Sequence, residues 1–180
     1  MLMRADDSCL LIVDIQERLV PALHDADALV KNARWLIDVA NAIGVPVVAS
    51  EQYPQGLGHL VKSLAEVVPV EATVTKEHFS CVAAGCLSGT AVETRSQVVV
   101  SGAETHVCVL QTVIDLVGQG KAVFVVADAV SSRREADRDL GLARMRDAGA
   151  VIVSREMAAF EWLHKAGTEL FRQVSRDFLR

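Results

Sequence analysis

A chain of 180 residues that is 51% apolar but only 4% aromatic must build an aliphatic core, and its length suits one domain, residues 1–180, burying roughly 70% of the surface its unfolded form would expose. A formal net charge of −5 without a long basic run argues against nucleic-acid binding, and no segment reaches the ~18 apolar residues of a membrane span. The segment Met1-Leu2-Met3-Arg4-Ala5-Asp6-Asp7 turns acidic before any apolar run, unlike a signal peptide, so the expectation is a cytoplasmic protein.

In chain order, Ser8 to Val13 is a short apolar run ending at Asp14, the pattern of a buried parallel strand. Apolar residues at Leu29, Val30, Ala33, Leu36, Ile37, Ala40 and Ile43 recur at three and four and predict a helix over 25–43, stopped by Gly44. The pattern repeats: strands are predicted at 45–50, 72–76 and 97–101, a helix at 106–117 ended by Gly118 and Gly120, a strand at 121–127, a helix at 133–147 and a sixth strand at 150–153. Residues 157–180 read as closing helices. Strands alternating with helices imply right-handed crossovers and a doubly wound α/β fold, a parallel sheet with helices on both faces. The excess of apolar surface predicts a homo-oligomer, a dimer or tetramer.

In such a sheet ligands collect outside the carboxyl ends of the strands. Asp14 closes the first strand, Lys76 the third, and Cys108 follows the fourth in the first turn of a helix. Each type has a plain alternative: a turn cap for Asp14, a surface cation for Lys76, a small buried side chain for Cys108. Together they make a catalytic set. A thiol is mostly protonated at neutral pH, whereas an ammonium and a helix N-terminus, with Thr105 as N-cap, would favour the thiolate. Asp14 would act as general base and then general acid.

The segments Leu11-Ile12-Val13-Asp14-Ile15-Gln16, Lys76-Glu77-His78-Phe79-Ser80 and Gly102-Ala103-Glu104-Thr105-His106-Val107-Cys108-Val109 resemble the isochorismatase-like hydrolases in order and spacing. The resemblance implies a six-stranded parallel sheet and an Asp14–Lys76–Cys108 triad. It also implies a non-proline cis peptide between Ala103 and Glu104, directing the N–H groups of Glu104 and Cys108 at an oxyanion.

Nicotinamidases of that family carry a metal-binding Asp-x-His and a further His after the second strand; this chain has Glu51-Gln52-Tyr53-Pro54-Gln55-Gly56-Leu57-Gly58-His59. Only Glu51 and His59 could coordinate, short of the three protein ligands of a catalytic zinc, so no metal and no cofactor are expected. The segment instead resembles the isochorismatase domain-containing subgroup. Gly56-Leu57-Gly58 lacks the third glycine of a dinucleotide fingerprint and reads as a loop. Isochorismatases proper, which cleave a vinyl ether, typically lack the nucleophilic cysteine.

The four cysteines, Cys9, Cys81, Cys86 and Cys108, read as thiols, with the spacing of Cys81 and Cys86 pointing to burial and not to metal ligation. Candidate pocket residues are Gln16, Glu51, Tyr53, Phe79 and His106, the last equally an ordinary helix-start residue. The expected activity is hydrolysis of a small amide or carbamoyl compound through a Cys108 thioester. The alternative is a non-catalytic or redox-sensing protein that retains the fold.

Overall fold

The computed structural model describes residues 1–179, so the end of the closing helical segment at Arg180 lies outside the described residues. Six strands run in chain order: β1 (Ser8–Val13), β2 (Val47–Gln52), β3 (Thr73–Lys76), β4 (Gln97–Ala103), β5 (Ala122–Ser131) and β6 (Val151–Val153). All pairings are parallel, in the order β3-β2-β1-β4-β5-β6. The order reverses between β1 and β4, which opens a crevice at their carboxyl ends. The helices are α1 (Ala26–Ile43), α2 (Pro54–Leu57), α3 (Lys62–Ala65), α4 (Ala91–Thr94), α5 (Leu110–Gly118), α6 (Glu135–Asp147), α7 (Arg155–Leu163) and α8 (Glu169–Phe178).

Every residue of β1 is buried because alternate side chains serve different layers. Leu10 and Ile12 join the apolar cluster that contains Leu36 and Ile37 of α1, Trp162 of α7 and Val174 of α8. Cys9, Leu11 and Val13 join the cluster that contains Val113 and Leu116 of α5 and Leu142 and Met145 of α6. This is the wrapped parallel sheet expected from the alternation of elements.

The bounds of four elements beside the crevice differ from the sequence reading. β2 starts later and extends to Gln52, because its ladder with β3 continues until Gln52 faces Lys76. β4 continues to Ala103 and β5 to Ser131, past a register shift between Val100 and Gly102. The helix predicted from His106 is not regular at its start: Thr105–Val109 form one π-helical turn before α5.

Gly102 lies opposite Val13 in the β1–β4 ladder and has φ +143°; a Cβ there would collide with the Val13 backbone carbonyl. Only glycine lets the ends of the two central strands approach so closely. The peptide bond between Ala103 and Glu104 is cis.

Candidate active site

Asp14 follows β1 directly, with φ +51°, a conformation aspartate tolerates better than most residues. Its N–H donates to the Ser50 carbonyl at 3.1 Å, which fixes it to the end of β2. The carboxylate is fully enclosed. Ser50 Oγ donates to Oδ1 at 2.7 Å, and the Lys76 ammonium donates to Oδ2 at 2.7 Å. Lys76 Nζ also donates to Gln52 Oε1 at 2.6 Å. Cys108 Sγ lies 3.9 Å from the same Gln52 oxygen, near enough to Asp14 for the carboxylate charge to act on the thiol. The structure thus brings Asp14, Lys76 and Cys108 together at the strand-order reversal.

The charge states differ from the sequence expectation for the thiol. Burial pushes Cys108 up from its ordinary value, and the neighbouring Asp14 charge adds to this; Lys76 pulls down but loses. The resting group is a thiol, not the thiolate expected from an ammonium and a helix N-terminus. The helix start also differs from expectation: the cap position is Glu104, with no side-chain cap, and not Thr105, which opens the π turn in which Cys108 is the fourth residue. Burial raises Asp14 too, opposed by Lys76 and by hydrogen bonds from Lys76 and Ser50. For Lys76 burial acts downward, but Asp14 and Cys108 outweigh it and the ammonium is held more firmly than in water.

Ser50 and Gln52 are the residues the sequence reading missed. A strand ending at Ser50 gave Gln52 no defined face. Once β2 extends to Gln52, the period of two puts Ser50 and Gln52 on one face with the triad and Glu51 on the other. Glu51 is accordingly not joined to the triad: its Oε1 accepts from the Leu60 N–H at 2.7 Å and its Oε2 pairs with His59 Nδ1 at 3.0 Å.

Gln16 is fully buried and clamps the β2 end, accepting from the Gln52 N–H at 2.7 Å and donating to the carbonyls of Gln52 and Gly58 at 3.0 and 2.7 Å. Tyr53 and Phe79 are half exposed. His106 contacts Ser132 Oγ through Nδ1 at 2.9 Å, and Glu104 pairs with Arg133 at 2.7 Å. Among the described residues, no group of three or more His, Cys, Asp or Glu side chains is arranged to hold a metal ion, and no helix is long and apolar enough to cross a membrane.

A parallel α/β sheet with a thiol, a carboxylate and an ammonium at its reversal point defines a class, a three-layer hydrolase-like fold. The isochorismatase domain model matches residues 8–157, and the chain belongs to the isochorismatase family. Mouse isochorismatase domain-containing protein 2A is 35% identical over 176 residues, 95% of this chain and 82% of the mouse protein. Zebrafish isochorismatase domain-containing protein 1 is 35% identical over 162 residues, 89% of this chain but only 57% of that protein.

Among solved structures, the MAR1 ribonuclease from Caenorhabditis elegans superposes with a TM-score of 0.92 at 32% identity, covering 100% of this chain and 93% of its own. YcaC from Pseudomonas aeruginosa, with hexane-2,5-diol and covalent acrylamide, gives 0.89 at 25%, covering 99% and 92%. YcaC from Escherichia coli, an octameric hydrolase of unknown specificity, gives 0.86 at 25%, covering 92% and 83%.

Proposed function

We propose that the chain is a single-domain cysteine amidohydrolase that cleaves a small amide or carbamoyl C–N bond through a thioester on Cys108. The observation that carries this reading is that the buried Lys76 ammonium holds the Asp14 carboxylate at 2.7 Å and the Gln52 oxygen at 2.6 Å, the same oxygen that the Cys108 thiol approaches at 3.9 Å. A thiol that rests protonated needs a base in contact with it. A carboxyl raised by burial is suited to take that proton and return it.

As Cys108 Sγ attacks the carbonyl carbon, its proton passes to Asp14, and Lys76 balances the negative charge gathered between them. The substrate oxygen, now an oxyanion, is received by the N–H groups of Glu104 and Cys108. Asp14 then protonates the departing nitrogen, the C–N bond breaks, and the acyl group stays on sulfur. Water attacks the thioester and gives a proton to Asp14, the C–S bond breaks to release the acid, and Asp14 returns that proton to the Cys108 sulfur. Cys108 is only 7% exposed, which restricts the acyl part to small groups.

Pseudomonas YcaC carries acrylamide covalently, an electrophile that adds to nucleophiles through its alkene, which supports a reactive nucleophile in this type of fold. The Caenorhabditis relative is called a ribonuclease, but a net charge of −5 gives this chain little attraction for a phosphate backbone. We also infer self-association, supported by the octameric state of Escherichia coli YcaC and by Met157 and Phe160 of α7, both about half exposed. The four cysteines are unpaired, which fits a cytoplasmic address.

Ammonia release across a panel of small amides tests the reading, with acid-quenched intact-protein mass spectrometry on the best substrate. An acyl adduct on the wild-type chain that Cys108→Ala lacks is the expected result. A substrate whose turnover survives Cys108→Ala rules out the thioester route.

A further inference from the structure

Cys81 and Cys86 lie in the turn-rich loop between β3 and α4, outside the triad. Gly85, with φ +66°, turns the chain so that Cys86 comes back over Cys81: its Sγ donates to the Cys81 carbonyl at 3.4 Å. Cys81 is anchored by its N–H to Thr112 Oγ1 of α5 at 3.0 Å. Away from the triad, Cys81 lines a cavity of about 210 Å³ together with Val82, Gly85, Leu87 and Lys121. Cys86 is half-buried.

We propose that Cys81 and Cys86 are a dithiol oxidised by hydrogen peroxide to a disulfide. Peroxide is small enough to reach Cys81 through the cavity. The Cys81 thiolate sulfur attacks one peroxide oxygen, the O–O bond breaks, and the departing hydroxide leaves as water with the Cys81 proton, giving a sulfenic acid. Cys86 sulfur then attacks that sulfur and the S–O bond breaks. The hydroxyl leaves as a second water with the Cys86 proton. Two thiols and one peroxide thus become a disulfide and two waters, with two electrons passing from sulfur to oxygen.

The neighbouring Cys86 favours this order, since it pulls Cys81 down from the ordinary thiol value while Cys86 itself is held up.

Wild-type and Cys108→Ala chains are treated with hydrogen peroxide, blocked with N-ethylmaleimide and mapped by peptide mass spectrometry. The expected product in both is a peptide linking Cys81 to Cys86, lighter by two hydrogens and restored by dithiothreitol. Cys86→Ser should give no link and should leave a Cys81 sulfenic acid that dimedone traps. A Cys81–Cys108 disulfide, or oxidation of Cys108 with both loop thiols still free, overturns the proposal.

Discussion

The Lys76 ammonium and the Asp14 carboxylate meet at 2.7 Å with both side chains completely shielded from water. A buried pair of this kind gives little net stability as a pair, but removing one partner strands the other. That asymmetry sets the first expectation.

Lys76→Met should reduce turnover by ~10² or more and should also destabilise the fold, by roughly 3–5 kcal/mol at alkaline pH where a lone buried carboxylate is charged. Without Lys76 the folded state binds the Asp14 proton more tightly than the unfolded chain does, at an ordinary value of 3.8. The destabilisation is therefore absent below that pH and grows as pH rises through the higher folded value. Urea unfolding at pH 5 and pH 8 checks this, with Lys76→Met/Asp14→Asn expected to recover stability but not turnover. Equal activity in Lys76→Met and wild type would remove Lys76 from the mechanism.

Asp14→Asn separates the base from the thiol. The Asp14 charge raises Cys108, so its loss should lower the thiol value and speed alkylation of Cys108 by iodoacetamide at pH 8, while turnover falls by ~10² or more. In the wild-type chain alkylation should stay slow at pH 7 and rise with pH up to the raised value. Slower labelling in Asp14→Asn contradicts the assigned roles.

Gln52→Leu keeps bulk but removes the oxygen lying 2.6 Å from Lys76 Nζ and 3.9 Å from Cys108 Sγ. The ammonium then loses one of its two acceptors, the one it shares with the thiol. A fall in kcat of about 10-fold, with a smaller change in KM, is expected for a positioning residue. Gln52→Glu, which keeps the acceptor, should alter the pH profile and not simply lower the rate.

Gly102→Ala should destabilise by about 1–3 kcal/mol or more, since both its φ and the Val13 carbonyl oppose a Cβ. Loss of turnover should accompany the lower melting temperature, because β4 carries Glu104 and the turn of Cys108. Unchanged stability would mean that the β1–β4 contact is looser than its geometry.

Cys9 is pushed up from 9.0 to about 12, chiefly by burial. The folded chain therefore holds this proton more tightly than the unfolded chain, so its contribution is intact below pH 9.0 and lost as pH rises from there toward 12. The slope is at most about 1.4 kcal/mol per pH unit. Cys9→Ala should show a shallower alkaline loss of stability by urea unfolding at pH 8 and pH 10.5. Parallel losses in the two chains would remove Cys9 as the cause.

Much of this protein is legible in its sequence, for local reasons. Apolar runs bounded by glycine and interleaved with helical spacing identify β1, α1 and the remaining strands, because burial on both faces of a parallel sheet demands them. Asp14, Lys76 and Cys108 could be set at one sheet edge because parallel strands share a carboxyl side. The tertiary structure decided what depends on distant partners. The ladder with β3 extends β2 to Gln52 and so decides which of Ser50, Glu51 and Gln52 faces the triad. Burial beneath Asp14 keeps Cys108 protonated against the pull of Lys76, a balance of desolvation and charge that no spacing of residues encodes. The return of Cys86 over Cys81 depends on the fold of one loop against Thr112, a contact between residues 31 positions apart.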